Sequence, residues 1–346
     1  MSVDVSVLGA DGCRRWDDLV RRSPRATVFH RSAVLRALAG GAGVTLHPLV
    51  GVEDGTPVGL FPVFELDKGP FSAAFSPPPG LWATYLGPVV LSDVDGSYRD
   101  VERRRRAFVE VCSRYVERVI DPVYTRVITS YRYDDIRPFQ WQGYRAEPRY
   151  TYVVELTDEE ELLGRFSSDA RRNVRDSYED HVIEAGGREA IDRILDQVRR
   201  RYDEQGEPKS LPYAFARHLH ADVDEDVLYP YVYRTDGEFV GGILALAGDD
   251  TVYRWLGGVK PAVEVDAPVN DLVDWQIMTD AMAAGYGYYD LVGAGNDRIN
   301  RYKTKFNPTL RTFYRISSDS RLTDAAVATY EQLLEYKRSV AGRGPF

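Results

Sequence analysis

Apolar and polar residues follow two spacings along this chain. Alternating or continuously apolar runs predict strands, whereas apolar residues three and four positions apart predict helices. The first half is predicted to contain a strand, two helices, a hairpin, a third strand over 83–91, a long helix over 97–119, a strand, a short helical turn and a further strand. The second half repeats this order, β-α-α-β-β-β-α-β-α-β.

Two pairs of short motifs occur at matching places in the halves. Asp-Gly turns, strong hairpin signals, lie at 54–55 and 236–237. Tyr85-Leu86-Gly87 and Trp255-Leu256-Gly257 lie in the strands predicted to follow those hairpins. We predict an internal duplication, with chance recurrence of a common pattern as the alternative. The predicted fold class is α/β (α+β), in tandem domains over 1–148 and 149–318 and a C-terminal helix within 319–346.

Composition places the chain among acidic globular proteins. It has 346 residues, 44% of them hydrophobic and 28% charged, with a formal net charge of −9. No window approaches ~18 uncharged apolar residues, and the start lacks the pattern of a signal peptide. We therefore expect a cytoplasmic protein without a membrane span. Two distant cysteines and five histidines without HExxH spacing predict neither a disulfide framework nor a metal site.

The cations are unusual in kind. Only six of the 44 basic residues are lysine. An acidic, lysine-poor surface resembles that of halophilic proteins, and a GC-rich genome is the alternative explanation. Such a surface argues against binding of nucleic acid over the protein as a whole, although local arginine patches leave tRNA as a possible partner.

Several stretches of the second half carry a family resemblance. They are Phe166–Arg175, Gly237–Leu246, and Gly285–Gly295 followed by Ile299–Phe306. Together they resemble the FemAB-like branch of the GNAT superfamily, which includes peptidoglycan-bridge aminoacyltransferases. The resemblance implies two tandem GNAT-like domains, the first degenerate, each with a mixed, mostly antiparallel sheet flanked by helices. It also implies N-acyl transfer without a metal.

Lys303 and Lys305 are the first candidates for this chemistry. A chain that uses arginine for nearly every cation keeps two of its six lysines within three residues. A compact ammonium can stabilise one developing negative charge. The family motif implies that Lys303 stabilises the oxyanion formed when an amine attacks an acyl carbonyl, with Lys305 as the second candidate. Solvated helix charges are the alternative.

Asp290 and Asn296 flank a glycine-rich turn. Asp290 ends a predicted strand before Gly293 and Gly295, which let backbone approach a ligand closely. Its carboxylate is a candidate to orient the acceptor amine or take its proton, and capping or organising the turn is the alternative. Asn296 is a candidate substrate contact, with a helix cap as its alternative.

Two further groups are candidates for substrate binding. Arg171 and Arg175 lie one helical turn apart and can hold phosphate or carboxylate, unless they pair with acids of their own helix. Tyr253 and Trp255 share one face of the predicted central strand, beside which simple GNAT enzymes hold the acyl thioester. Core packing explains these two aromatic residues equally well.

The acyl donor stays open between acyl-CoA, such as acetyl-CoA, and aminoacyl-tRNA. The Q/R-x-x-G-x-G/A loop that holds pyrophosphate in simple GNAT enzymes is absent, and the corresponding segment carries Glu264 and Asp266. The stretch 188–221 is too short for the helical arm that some relatives use for tRNA. The expected acceptor is a small-molecule amine. The rival hypotheses are a non-catalytic protein that binds a small molecule or envelope precursor, and an RNA-binding protein.

Overall fold

The computed structural model describes residues 2–9, 12–68, 71–91, 97–176, 181–221, 227–248, 250–258 and 265–318. The chain divides into two compact units, with breaks after Arg149 and after Arg311. The described residues up to 149 and from 312 to 318 form the first unit, and those from 150 to 311 form the second.

The first unit is built on a sheet with helices packed against it. Its elements up to residue 140 are β1 (Val3–Val7), α1 (Cys13–Arg21), α2 (Ser32–Ala42), β2 (Thr45–Glu53), β3 (Thr56–Lys68), β4 (Phe71–Ser76), β5 (Val89–Val90), α3 (Tyr98–Tyr115), β6 (Tyr124–Ile128) and α4 (Arg137–Gln140). A last strand, β13 (Thr309–Ser317), pairs with β6. The strand order is β1-β2-β3-β4-β6-β13, with β5 beside β3. The sequence predicts residues 312–318 in the second domain, but the pairing of β13 with β6 lies in the first unit.

The second unit has more helices. Its elements are β7 (Arg145–Glu155), α5 (Glu159–Arg165), α6 (Ser168–Arg175), β8 (His181–Ala185), α7 (Arg188–Glu204), α8 (Tyr213–Ala221), β9 (Leu228–Thr235), β10 (Glu238–Ala247), β11 (Thr251–Gly257), α9 (Val269–Ala283), β12 (Tyr288–Asp290) and α10 (Asp297–Lys303). The strand order is β8-β9-β10-β11-β12-β7. Helix α9 packs apolar residues such as Val273 and Ile277 into the core of this unit.

The two sheets have the same topology. In each, the first four strands pair antiparallel, the fourth and fifth pair parallel (β4 with β6, β11 with β12), and the sixth returns antiparallel. Equal order and equal strand direction confirm the predicted fold class of two tandem, mostly antiparallel units.

The two Asp-Gly turns form as predicted. Asp54 and Gly55 have φ of 49° and 80°, and Asp236 and Gly237 have φ of 53° and 78°. Two consecutive residues with positive φ give the turn whose twist matches that of paired strands, and aspartate followed by glycine tolerates this conformation best.

The prediction of the third strand in the first half was wrong. The strand is β4, Phe71–Ser76, a short run whose small residues gave little pattern. Within 83–91, Leu86 forms an isolated parallel bridge with Thr129, and only Val89–Val90 pairs with β3. Tyr85-Leu86-Gly87 is therefore not the counterpart of Trp255-Leu256-Gly257, which lies in β11.

The predicted C-terminal helix within 319–346 lies outside the described residues. None of the described helices is long and apolar enough to span a lipid bilayer.

Candidate active site

The site lies where the parallel strands β11 and β12 part. Their pairing ends at Tyr253 and Asp290. On β11 the register to β10 then skips one residue, so that Trp255 forms a bulge. After β12 the chain turns through Val292 and Gly293, both at positive φ. The two strands therefore form no further backbone pairs beyond this point, and side chains fill the space between them.

Asp290 organises this turn. Its Oδ1 accepts hydrogen bonds from Thr151 Oγ1 at 2.6 Å and from the Val292 amide at 2.8 Å. The Gly293 amide in turn donates to Thr151 Oγ1 at 2.9 Å. The buried carboxylate thus fixes two successive peptide groups, which is the turn-organising role named as an alternative in the sequence analysis.

Lys303 is held by the carbonyls of the same turn. It is the last residue of α10 and only 6% exposed. Its Nζ donates to the carbonyl oxygens of Val292 and Gly293, both at 2.7 Å. An ammonium has three N–H groups, so one donor remains beyond these two acceptors of the described chain.

The environment of Lys303 lowers the pKa of its ammonium. The pKa of its ammonium is lowered from 10.5 to about 8, mainly by burial and in part by the positive charge of Arg254. The carboxylates of Asp290 and Asp274 act in the opposite direction. At neutral pH Lys303 is still protonated, but it is a more acidic donor than a surface lysine.

Arg254, Asp274, Tyr289 and Tyr302 form a buried cluster beside Lys303. Arg254 Nε lies 2.8 Å from Asp274 Oδ1 and 3.1 Å from Oδ2. Tyr289 donates to Oδ1 at 2.5 Å and Tyr302 to Oδ2 at 2.6 Å. The carboxylate is fully buried, and these donors satisfy it on both oxygens. The cluster joins β11, α9, β12 and α10.

Burial keeps both phenols that contact Asp274 in their neutral form. It raises the pKa of Tyr289 and Tyr302 well above 10, and the negative charge of Asp274 raises them further. Burial lowers the pKa of Arg254, but the charge of Asp274 more than compensates, and the net shift is upward. The tyrosines therefore remain neutral donors and Arg254 remains a cation.

A sequence comparison identifies the family of one part of the chain. The profile of the acetyltransferase (GNAT) domain matches residues 164–304, which include α9, β12, α10 and Lys303. Residues 164–304 of this chain are a GNAT acyltransferase domain. No curated protein sequence gives a significant match.

Solved structures match the tandem arrangement of this chain. FemX superposes with a TM-score of 0.69 at 11% identity, over 90% of this chain and 96% of FemX. A tandem GNAT protein from the clavulanic acid biosynthesis pathway gives 0.53 at 12% identity, over 91% and 98% of the two chains. L-PGS from Bacillus licheniformis gives 0.54 at 12% identity, over 93% and 96%. The FemX-like tandem GNAT fold predicted from the motifs is thus confirmed.

Lys305 has a different environment from Lys303 in the GNAT domain. Its Nζ lies 3.2 Å from Asp271 Oδ2 and 3.6 Å from Asp169 Oδ2, and 5.4 Å from the centre of the Tyr302 ring. Two carboxylates and an aromatic face thus surround its charge. Lys305 thus forms ion pairs with both α6 and α9. Because its charge is already paired, Lys303 is the stronger candidate for chemistry.

Arg171 and Arg175 lie on α6. Arg171 Nη1 donates to the Gly164 carbonyl at 3.2 Å, and Arg175 is exposed in the last turn of the helix. Asp169, one of the acids of the same helix, instead accepts from Ser167 and pairs with Lys305. Both arginines stay candidates for an anionic substrate.

The remaining predicted residues have clear local roles. Tyr253 and Trp255 are 2% and 5% exposed, and the Trp255 ring packs edge-on against Phe215 of α8. Asn296 is the N-cap of α10, and its side chain accepts from the Ile299 amide at 3.2 Å. The cap and the aromatic packing correspond to the structural alternatives to substrate contact.

The first turn of α9 carries an acid rather than an open anion site. Asp271 is buried and accepts from Asn173 Nδ2 at 2.6 Å as well as from Lys305. Of the two acids predicted on the approach to this helix, Asp266 is exposed and Glu264 lies outside the described residues. Among the described side chains, no group of three or more His, Cys, Asp or Glu could hold a metal ion.

Sequence reasoning assigned no role to Arg254, Asp274, Tyr289 or Tyr302. One signal was available. Asp274 lies between the apolar residues Val273 and Trp275, and an acid within a buried helix face requires a cation or donors nearby. The partners of this acid come from three other elements, which the spacing of residues along the chain does not specify.

Proposed function

We propose that the GNAT domain transfers an acyl group to a primary amine and that Lys303 stabilises the oxyanion of this reaction. The observation that carries the proposal is the ammonium itself, which is buried, fixed by two carbonyls at 2.7 Å and left with one N–H at the end of the parallel strands. A donor fixed in advance in a site of low polarity stabilises developing charge with little reorganisation.

The proposed step balances without a metal or a redox partner. The amine nitrogen attacks the acyl carbonyl carbon, a C–N bond forms, and one C=O electron pair moves to oxygen. Lys303 donates its remaining N–H to that oxygen. When the carbonyl re-forms, the bond to the thiolate of CoA or to the ribose oxygen of tRNA breaks. The amine loses one proton, for which we propose Asp290 as the acceptor.

The donor stays open between acyl-CoA and aminoacyl-tRNA, and one feature bears on it. A pyrophosphate at the N-terminus of α9 would meet the buried carboxylate of Asp271, which already has donors from Asn173 and Lys305. A donor bound there would have to displace those contacts. Arg171 and Arg175 on α6 are the proposed anchors for the anionic part of a substrate.

The test is replacement of Lys303 by methionine, which has similar length and no charge. We expect Lys303→Met to lower kcat by roughly 10²-fold or more, as for loss of one oxyanion donor. Arg301→Met is the matched control, because Arg301 lies on the same helix, is 79% exposed and pairs only with Asp297 among described residues. Its kcat should equal that of the wild type.

The assay offers isotope-labelled acetyl-CoA and charged tRNA with a library of primary amines, and counts label in the amide product. A kcat of folded Lys303→Met equal to that of the wild type would contradict the assigned role. Saturable amine binding without transfer from either donor would instead favour the non-catalytic alternative.

A further inference from the structure

Arg254 uses only one nitrogen of its guanidinium within the described chain. Nε faces both oxygens of Asp274, whereas Nη1 and Nη2 donate to none of the described residues. Nη2 is buried without a hydrogen-bond partner there, and the whole side chain is 10% exposed. A buried donor left unpaired costs free energy, so its retention requires an explanation.

Gly258 leaves space for this nitrogen. Its φ is +62°, and a Cβ built on it would lie 1.7 Å from Nη2 of Arg254. Any side chain at this position would therefore displace the guanidinium. The chain thus combines a residue without a Cβ with a cation whose outer edge has no hydrogen-bond partner among the described residues.

We infer that Arg254 anchors a carboxylate group carried by one of the two substrates. The inference rests on the proposed function, since it describes a substrate of the same site. The edge formed by Nη1 and Nη2 is planar and presents two parallel donors, which match the two oxygens of a carboxylate. Asp274 already neutralises the charge through Nε, so the outer edge selects mainly by geometry.

The surroundings favour a carboxylate over a phosphate. Phosphate sites usually add backbone amides at a helix N-terminus, but the first turn of α9 carries the buried Asp271. A dianion would also be repelled by the carboxylate of Asp274, which already faces Nε of the same guanidinium. A planar monoanion needs only the two donors that Arg254 offers.

The cluster also keeps the anchor rigid. Tyr289 and Tyr302 hold Asp274 from two further elements, and Asp274 fixes the guanidinium in turn. The Arg254 side chain stacks 5.7 Å from the centre of the Tyr302 ring. A fixed guanidinium loses little freedom when a ligand binds, which strengthens its discrimination between ligands.

The experiment compares ligands that differ only in the carboxylate, by calorimetric titration of the full chain. In the acceptor arm the probes are glycine, β-alanine and 4-aminobutyrate against their amides. In the donor arm they are succinyl-CoA against butyryl-CoA. We expect the carboxylate member to bind at least 10-fold more tightly in one arm, which identifies the substrate that carries the group.

Arg254→Lys is the decisive variant because it keeps a charge for Asp274 but lacks the two-nitrogen edge. We expect it to reduce the preference to below about threefold. Arg301→Lys, on the exposed face of α10, should keep the wild-type preference. As a second variant, Gly258→Ala should also abolish the preference. Its control Gly285→Ala has the same kind of positive φ but open space around the Cβ, and should not.

Three results would overturn the inference. They are no carboxylate preference in either arm, a preference that persists in Arg254→Lys, and inorganic phosphate binding more tightly than the carboxylates in an Arg254-dependent way. Failure of the proposed function gives a different result, an Arg254-dependent carboxylate preference without transfer from either donor. Lys303-dependent transfer without that preference would leave the function and remove the anchor.

Discussion

The two units have the same strand order but close their parallel pair in opposite ways. In the first unit Leu86 extends the parallel pairing past the end of β4. It forms a bridge with Thr129, and its amide donates to the Ile128 carbonyl at 2.9 Å. Gly87 then donates to Ser76 Oγ at 3.1 Å and accepts from His30 Nε2 at 3.2 Å. In the second unit the corresponding place holds Lys303 and its neighbouring cluster.

Both places contain a buried titratable group, and the difference between the groups is instructive. Burial lowers the pKa of His30 to about 4 and that of Lys303 to about 8. At neutral pH His30 is therefore neutral and part of a closed hydrogen-bond network, whereas Lys303 is charged and retains a donor. The same topology thus surrounds a neutral hydrogen-bond network in one unit and a buried charge in the other.

The largest expected effect on stability concerns the second unit. Asp274→Ala leaves Arg254 buried without its counter-ion and should lower the free energy of unfolding by about 3–5 kcal/mol. Hydrogen exchange of amides in α9 and β11 reports on this unit separately. As the control in the first unit, Ser76→Ala removes one neutral buried hydroxyl and should lower the free energy of unfolding by only about 1 kcal/mol. Equal costs would contradict the difference between a charged and a neutral site.

His30 predicts an acid sensitivity of the first unit. Its Nδ1 accepts from the Thr27 amide at 3.0 Å and its Nε2 faces the Gly87 carbonyl, so only the neutral ring satisfies both contacts. The folded pKa of about 4 lies below the unfolded value of 6.5, so the unfolded chain binds the proton first. Stability is complete above about pH 6.5 and should fall by about 3 kcal/mol as the pH drops to about 4.

The measurement is the free energy of unfolding against pH for wild type and His30→Gln. The difference between the two isolates the histidine from the other groups that titrate in acid. A difference that stays constant from pH 7.5 to pH 4 would show that His30 does not carry this sensitivity.

The sequence was sufficient to predict the elements with strong local signals. The Asp-Gly hairpins, the long helix α3 and the repeated order of elements follow from turn chemistry and apolar spacing. The strand β4 was missed because Phe71–Ser76 is short and rich in small residues. The stronger apolar run at 83–91 predicts a strand instead, although only Val89–Val90 pairs with β3 and Leu86 forms a single bridge.

Only the part of the candidate site that has a local signal in the sequence was predictable. The scarcity of lysine and the motif around residue 303 were sufficient to predict Lys303 as a candidate catalytic residue. The Arg254–Asp274 pair requires β11 and α9 to face each other, and the unpaired Nη2 depends on the position of Gly258. Such contacts arise from tertiary packing, and no spacing rule along the chain contains them.

The most direct test of the central claim, that a buried ammonium at Lys303 supports acyl transfer, is the pH dependence of kcat in the wild type and in Lys303→Arg. Because burial lowers the Lys303 pKa to about 8, the charged donor is present below that pH and lost above it. The account predicts that wild-type kcat falls as the pH rises through about 8, whereas Lys303→Arg, whose guanidinium stays charged, lacks this decline. The same decline in both proteins would contradict it.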